Sequence, residues 1–311
     1  MNKIKLILSL FLIINVFFAG AQCLSSVNPV GGTNNLLVLE KKSFRIISFY
    51  KYGQGTKYYE GNSVSNFNLI NKAFYNYLSM TIGYGLTGKT NLEFETGYFI
   101  NKTQVYNLEP NYRLIGNGLS NFVLLLKQNL YTDPFNRIYI TGAAGAKIPS
   151  SQSLQWDNNV KLPVEVQPTI GAFGAVFTSS FVKENSGTGM RYFITNRIEI
   201  NGSNKEYYKL GSSVYSSLYV SRHLRRIWLK DKWTAILQLR NEVRGIDKIE
   251  GINKVSSGSI LFFVAPQLNY VLKDNWYISA MVDIPIYQHF NGTQLGADPG
   301  FTFIISRTLN L

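Results

Sequence analysis

Charged residues spaced by two positions are the part of this sequence best suited to chemistry. Arg240, Glu242 and Arg244 show this spacing, as do Glu93 and Glu95. Side chains two positions apart on a β-strand point to the same face of the sheet. Because both signs of charge occur, such a face can form ion pairs or select ionic solutes along a polar passage. The spacing therefore predicts a charged surface built on strands.

Patterns for catalysis or metal binding are weaker. The single cysteine excludes a disulfide scaffold and a cysteine-ligated zinc or iron–sulfur site. His223 lies in a basic turn, where a solvated loop residue is the better interpretation. His289 precedes Asn291 and Gly292, but the serine that an acyl hydrolase would place soon after it is absent. We therefore predict no enzyme, no metal and no cofactor. Since the basic residues are dispersed and balanced by carboxylates, we also predict no nucleic-acid partner.

From near Ser43 onward, apolar and polar side chains alternate with a period of two residues. This alternation predicts the β-strands that carry the charged residues. In residues 74–86 apolar side chains occupy the even positions apart from Asn76, while the odd ones are small or polar apart from Tyr75 and Tyr77. A tight turn at 87–90 separates this run from the next, at 91–101. The same pattern indicates about twelve strands in all. The other strands are predicted at 43–52, 119–131, 137–148, 166–181, 190–201, 207–222, 233–244, 259–272, 276–287 and 300–309.

Strand length and loop length indicate the architecture. A run of about thirteen residues at about 3.3 Å each, tilted by about 40°, rises about 33 Å and covers the roughly 25 Å apolar band of a membrane barrel. Short connections alternate with mostly longer ones, and the charges on the strands avoid the apolar face, except Arg222 and Arg307. We predict an all-β fold, a transmembrane antiparallel up-and-down β-barrel of about twelve strands with short periplasmic turns and longer external loops.

The composition agrees with a division into two faces. The chain of 311 residues is 45% hydrophobic and 14% aromatic but only 16% charged, which is below the roughly 25% of soluble domains. Its mean hydropathy of −0.03 resembles that of a soluble protein. In a barrel, this value is the average of an apolar side that faces lipid and a polar side that faces the lumen.

The inward face is where function can be assigned to residues. Together with Arg45, Lys51 and Lys209, the predicted lumen-lining residues carry a surplus of about four positive charges. This pattern fits either a wet lumen with a mild preference for anions or a salt-bridged polar plug. The predicted lumen-lining residues are Glu93, Glu95, Lys127, Lys147, Arg191, Arg197, Glu199, Arg240, Glu242, Arg244 and Asp283. The tyrosines predicted to face inward are Tyr75, Tyr77, Tyr139, Tyr215, Tyr219, Tyr277 and Tyr287.

The amino terminus has the pattern of a secretory signal peptide. Lys3 and Lys5 precede an apolar run, which ends in the cleavage pattern from Ala19 to Ala21. Cleavage there would leave Cys23 near the mature terminus, where lipidation is the less expected alternative to a plain exported protein. The predicted domains are a signal peptide at 1–21, a periplasmic or lumenal segment at 22–42 and the barrel at 43–311. An exported barrel belongs in the outer membrane of a Gram-negative cell.

Two hairpin motifs resemble a known family. Residues 83–94, GYGLTGKTNLEF, resemble a signature of the outer-membrane barrels grouped with the meta-pathway of phenol degradation. Residues 145–150, GAKIPS, are similar to a strand end of the same family, although no glycine follows Ser150 and the chain ends in Leu311 rather than in an aromatic residue. Members of that family are regarded as outer-membrane transporters, often of hydrophobic solutes, so the resemblance implies transport.

Together these features predict a passive, porin-like channel or transporter for small solutes. Hydrophobic solutes and anionic solutes are both compatible with the sequence. One alternative is a closed structural or adhesive barrel whose external loops bind a partner. The other is a lipid-modifying enzyme at the outer leaflet. The expected partners are outer-membrane lipid, a small-molecule solute and the barrel-assembly machinery.

Overall fold

Twelve long antiparallel strands close into a barrel in the computed structural model, which describes residues 36–107, 112–157, 159–224, 232–273 and 275–310. Each strand pairs with the next one along the chain, and the last pairs with the first, so the sheet closes on itself. The predicted fold is confirmed. The strands are β1 (Ser43–Gly55), β2 (Ile70–Thr87), β3 (Thr90–Tyr106), β4 (Phe122–Asp133), β5 (Ile138–Ile148), β6 (Gly174–Asn185), β7 (Met190–Asn201), β8 (Ser213–His223), β9 (Trp233–Arg244), β10 (Ser259–Lys273), β11 (Trp276–Leu295) and β12 (Gly300–Asn310).

Alternation along each strand separates a lipid-facing surface from a lumenal one. On β4, Leu124 and Leu126 are 45% and 51% exposed, whereas Val123 and Leu125 between them are buried. The same alternation recurs around the barrel and produces an apolar outer belt, as a membrane requires. The described residues contain no helix long and apolar enough to cross a membrane. The closed sheet and its apolar outer belt make the protein a barrel of the outer membrane, in contact with its lipid.

Connection lengths orient the barrel. The turns at 88–89, 134–137 and 186–189 are short and lie at the end where β1 begins and β12 finishes. Five of the six connections at the other end are longer and carry short strands of their own, so this end is extracellular. The sixth, at 296–299, is short because β11 extends to Leu295. These short strands are Tyr58–Gly61, Ser63–Val64, Arg113–Leu119, Trp156–Asp157, Val160–Lys161, Tyr208–Lys209, Lys248–Ile249 and Ile252–Asn253.

Two predicted strands begin later than the sequence pattern indicates. β6 begins at Gly174 instead of 166, because Gly171 has a positive φ of 76° and the preceding residues fold into the extracellular mouth. β8 begins at Ser213 instead of 207, because the Asn204 side chain accepts hydrogen bonds from the backbone N–H groups of Glu206 and Tyr208, both at 2.9 Å. This turn places Lys209 in an extracellular sheet, so Lys209 does not line the lumen.

A bulge between β10 and β11 reverses the orientation of one predicted inward tyrosine. The register shifts between Phe262 and Phe263, which leaves an extra residue on β11 at Ile286. Ile286 and Tyr287 are therefore both exposed on the outer side, at 61% and 43%. Tyr75 and Tyr77, in contrast, face inward and are buried as predicted.

Three predictions fall on residues outside the described ranges. They are the signal peptide at 1–21, the fate of Cys23 and the basic turn that follows His223. The described part of the predicted 22–42 segment begins at Leu36 and lies inside the barrel. Leu36 is buried among side chains of four strands, including Val182 and Phe193.

Candidate functional site: a charged lumen between two inserted segments

The eleven charged residues predicted to line the lumen all occupy inward-facing strand positions, whereas Lys209, for which the sequence also predicts an inward position, does not. Most are buried, including Glu93, Arg197 and Asp283, whose exposures are 1%, 2% and 4%. Arg191 is the most exposed, because it lies near the periplasmic rim and pairs there with Glu184 at 3.1 Å. A buried charge is costly unless it is paired, so the contacts of these side chains determine what the lumen can do.

One group of these side chains, the β3–β7 cluster, consists of Glu95, Lys147, Arg197 and Glu199. Arg197 contacts Glu95 through Nη2 and Oε2 at 2.9 Å and Glu199 through Nε and Oε1 at 2.8 Å. The other carboxylate oxygen of Glu199 lies 2.8 Å from Lys147 Nζ. These contacts join β3, β5 and β7, which are not adjacent strands, so the cluster extends across the lumen rather than along the wall.

A second group, the β9–β1 cluster, consists of Lys51, Arg240, Glu242 and Asp283. Arg240 donates to Asp283 with an Nη1–Oδ1 distance of 2.7 Å and lies 2.8 Å from Glu242 through Nε. Lys51 Nζ lies 3.3 Å from the second oxygen of Asp283. The guanidinium carbon of Arg240 also lies 4.5 Å from the centre of the Phe263 ring, which adds a cation–π contact.

The remaining predicted residues pair closer to the wall. Lys127 on β4 contacts Glu93 on the neighbouring β3 at 2.7 Å. Arg244 binds both carboxylate oxygens of Asp247, at 2.9 and 2.8 Å, just beyond the extracellular end of β9. The sequence places these side chains on the inward face, but their pairing depends on how the strands are staggered around the barrel.

The interior is closer to electrical neutrality than the sequence count indicates. In the described part of the chain, eight basic and eight acidic residues join the interior ion pairs, with Arg45 and Lys102 as further buried or half-buried cations. Three of these acids, Glu165, Glu184 and Asp247, lie outside the set predicted from the sequence. With Lys209 also outside the lumen, the positive surplus falls to about two.

Lys102 is an inward-facing residue that the period of two does not predict. On β3 the inward positions are odd up to Phe99, and an irregularity between Phe99 and Lys102 then shifts them to even numbers. Lys102 is buried, and its Nζ donates to the backbone oxygen of Gln167 at 3.0 Å. A sequence pattern read at a fixed period has no signal for such a shift.

Aromatic side chains separate the two clusters from each other. Tyr75 and Tyr77 on β2 pack with Phe49 and Phe99, and each tyrosine borders a different cavity. The cavity beside the β3–β7 cluster measures about 110 Å³, and the one beside the β9–β1 cluster about 40 Å³. Both are large enough for water beside the ion pairs.

The periplasmic half of the lumen contains the N-terminal segment, residues 36–42. Thr141 Oγ1 on β5 donates to the Leu36 oxygen at 3.0 Å, and the Leu39 N–H donates to Asn91 Oδ1 on β3 at 3.0 Å. Beside this segment lies a cavity of about 400 Å³, bordered by Leu36, Arg45 and Arg191 among other residues. The segment is thus held by few polar contacts next to open space.

The extracellular mouth contains the mouth loop, residues 149–173 between β5 and β6. Its residues Glu165, Val166 and Gln167 are buried, although connections between strands usually lie on the surface. Lys254, from the connection between β9 and β10, contacts Glu165 at 3.4 Å, while Lys102 holds Gln167 from β3. The loop therefore crosses the mouth from one side of the barrel towards the other.

Neither histidine lies in a recognisable catalytic arrangement in the described structure. His223 Nδ1 lies 2.8 Å from Thr234 Oγ1 near the periplasmic end. His289 is exposed on β11, where it pairs with Ile260 of β10. A hydrolase of the serine type needs a histidine within hydrogen-bond reach of both a serine and an orienting group.

Comparison with known proteins identifies the fold but no family. No family model matches the sequence, and no curated protein matches it. The solved COG4313 outer membrane channel from Pseudomonas putida F1 is similar to 91% of this chain over 100% of its own length, with a TM-score of 0.68 and 10% identity. A FadL homologue from Pseudomonas aeruginosa matches 86% of this chain and 90% of its own, with a TM-score of 0.41 and 8% identity. At these identities the likeness concerns the fold alone, and this chain is an outer-membrane β-barrel.

Proposed function

We propose that this barrel is a gated channel for small polar solutes, with at most a weak preference for anions. The observation that carries the proposal is the polar interior, in which cavities of about 400 and 110 Å³ lie on the two sides of the barrel centre. Ion-paired side chains separate these cavities. A barrel that only had to be filled could use an apolar interior of similar volume at no loss of stability.

Both segments that fill the lumen are separate from the barrel wall. The N-terminal segment and the mouth loop are held by individual hydrogen bonds, ion pairs and small apolar contacts, whereas the wall strands are joined along their whole length. Movement of either segment therefore leaves the wall intact. This arrangement supports gating at both ends of one passage.

The charge of the lumen supports a polar solute rather than a hydrophobic one. Arg197, Arg240 and their carboxylate partners lie inside the barrel, and desolvation of these groups by an apolar molecule would be unfavourable. Since the surplus of positive charge is small, anions and neutral polar solutes are both expected to pass. The fold shared with the Pseudomonas putida outer membrane channel agrees with a channel role.

Single-channel recording in planar bilayers tests the proposal. The mature protein, refolded in detergent and added to a membrane in potassium chloride, should give discrete current steps and a slightly anion-selective reversal potential. Liposome swelling with small sugars and with carboxylates should show which solutes pass. Current no larger than that of the protein-free membrane, together with no swelling, would reject the channel and favour a closed structural or adhesive barrel.

We infer that the channel has no acyl hydrolase activity. The support is the position of His289, exposed on the outer side of β11, and the contact of His223 with a threonine. Phospholipid incubated with the refolded protein should release no fatty acid. Release that His289→Ala abolishes would instead establish an outer-leaflet enzyme.

A further inference from the structure

Two lysines lie directly opposite each other in a small extracellular sheet. Tyr208–Lys209 pairs with Lys248–Ile249, which in turn pairs with Ile252–Asn253. In this register Lys209 is the cross-strand partner of Lys248. Opposed residues in a sheet have Cβ atoms about 5 Å apart, and like charges at that distance are destabilising. A negative charge placed between the two lysines would relieve this repulsion.

The protein itself does not supply this charge in the described structure. No described carboxylate oxygen lies within 4.0 Å of either lysine ammonium group, although Glu250 occupies the adjacent turn. Hydrogen-bonding residues flank the two lysines in the same row: Ser203 bridges to Lys209, and Asn253 pairs with Lys248. All four side chains of this row, the lysine row, are exposed.

The lysine row points away from the lumen. Side chains alternate along a strand, so Tyr208 and Ile249 lie on the other face of this sheet. Tyr208 is buried, and its ring lies 5.5 Å from Lys254 Nζ, which pairs with Glu165 of the mouth loop. The face of Tyr208 is therefore the lumenal one. The lysine row faces the surroundings of the barrel.

The row also lies just beyond the apolar belt, on the side where a membrane carries its lipid head groups. On β7, Ile200 points outward and is 47% exposed, which marks the upper part of the apolar belt. Ser203 follows three residues later, a distance of about 10 Å along the chain. Tyr207, Ile252 and Val255 flank the sheet with exposures of 67%, 73% and 74%. Large apolar side chains this exposed, beside unpaired cations, suit an amphipathic ligand.

A buried hub keeps the sheet rigid. Asp247 is fully buried and accepts hydrogen bonds from the Tyr208 hydroxyl, the Gly211 N–H at 2.8 Å and Arg244. Its own N–H donates to Ser257 Oγ at 3.1 Å. Burial, and next the Asp247 carboxylate, raise the pKa of the Tyr208 hydroxyl, so it remains a donor throughout the accessible pH range. The lysines are thus held in place before any ligand arrives.

We propose that the lysine row binds a phosphate group of an outer-leaflet glycolipid from the outer side of the barrel. A phosphate bridging Lys209 and Lys248 would relieve their repulsion and accept charge-assisted hydrogen bonds, with Ser203 and Asn253 as further donors. Tyr207, Ile252 and Val255 would contact the sugar and the first part of the acyl chains. This role depends on the outer-membrane location and not on the proposed channel.

Native mass spectrometry of the mature barrel, released from detergent with added lipid A, tests the proposal. The wild type should retain lipid A, and Lys209→Gln combined with Lys248→Gln should weaken apparent affinity about thirtyfold, since each lysine near a phosphate contributes about 1 kcal/mol. The control combines Lys57→Gln with Lys89→Gln, two exposed lysines elsewhere on the barrel, and should bind as the wild type does. Equal binding by both double variants would overturn the proposal.

Further arms identify the source of the phosphate and exclude damage to the sheet. Dephosphorylated lipid A should bind as weakly to the wild type as lipid A does to the double variant, and inorganic phosphate in excess should displace only part of the bound lipid. Complete displacement by phosphate, or undiminished binding of the dephosphorylated lipid, would reject the lipid phosphate as the ligand. Lys248→Glu should abolish lipid binding but raise thermal stability, because it converts a repulsive cross-strand pair into an attractive one. If Lys248→Glu instead lowers both lipid binding and thermal stability, the sheet is misfolded and the assignment of the lysine row as a phosphate site is overturned.

Discussion

Arg197 on β7 contacts Glu95 on β3 across the lumen, with Nη2 2.9 Å from Oε2, although three strands lie between them around the wall. The same guanidinium holds Glu199. One side chain thus neutralises two carboxylates and bridges opposite parts of the barrel. Arg197 borders the cavity of about 110 Å³ beside this cluster, which makes it a candidate for the lining of a solute path.

Replacement of Arg197 by methionine should make the channel select cations. The change leaves Glu95 without its cation and Glu199 with Lys147 alone, so a negative charge faces the passage. In a potassium chloride gradient we expect the reversal potential to move towards that of a cation-selective channel, and we expect the conductance to rise. Loss of one partner of a buried pair should also destabilise the barrel by about 3–5 kcal/mol.

The matched control for this change is Arg222→Met. Arg222 is exposed on the outer side near the periplasmic end, so its loss removes the same charge without touching the lumen. The reversal potentials of both variants, recorded in planar bilayers and compared with that of the wild type, test this prediction. A reversal potential that is the same for wild type and Arg197→Met would place the ion path elsewhere.

The sequence predicts the wall of this barrel well because one physical rule governs every strand. Lipid excludes charge and the lumen accepts it. An alternation with a period of two residues therefore shows which side chains face lipid and which face the lumen. The failures occur where a local backbone feature interrupts that period. The bulge at Ile286 turns Tyr287 outward, the irregularity before Lys102 turns that lysine inward, and the Asn204 turn removes Lys209 from β8.

The pairing of the charges could not be predicted in the same way. Whether Arg197 meets Glu95 depends on the stagger of strands that are far apart in sequence, and alternation within one strand contains no information about it. The sequence predicts a connection at 149–165 but, for a related reason, not its burial in the extracellular mouth. Its buried residues Glu165 and Gln167 are polar, and only their contacts with Lys254 and Lys102 explain why they lie inside.

A charge on the outer face should destabilise the barrel where it meets lipid. Leu237 on β9 is 48% exposed within the apolar belt, so Leu237→Arg should cost about 2–4 kcal/mol. Val64 is 61% exposed in an extracellular hairpin, and Val64→Arg should change stability little. Urea-induced unfolding in liposomes, followed by tryptophan fluorescence, measures both. Equal free energies of unfolding would mean that Leu237 does not face lipid.

Displacement of the mouth loop should open the extracellular end. A Cβ atom on Gly116 would lie 2.1 Å from the backbone oxygen of Val166, so Gly116→Ala forces the loop away from the short strand Arg113–Leu119. We expect faster cleavage of the loop by an added protease and larger current fluctuations. Gly187→Ala is the control, because its Cβ atom would meet only a side-chain oxygen of Asn185 at 3.5 Å. If the protease cleaves the loop no faster in Gly116→Ala than in Gly187→Ala, the contact between Gly116 and Val166 does not hold the loop in place.

Displacement of the N-terminal segment should open the periplasmic end. A Cβ atom on Gly85 would lie 1.9 Å from the backbone oxygen of Glu40 and 3.4 Å from Leu39 Cβ, and the nearest atoms it meets all belong to this segment. Gly85→Ala should therefore expel residues 36–40 while the wall strand β2 is preserved, and the single-channel conductance should rise severalfold. Gly88→Ala provides the matched control, since its Cβ atom would meet nothing within 4 Å. Both variants should keep the heat-dependent gel shift of a folded barrel. If Gly85→Ala is folded and conducts no better than Gly88→Ala, the N-terminal segment is not the obstruction at the periplasmic end.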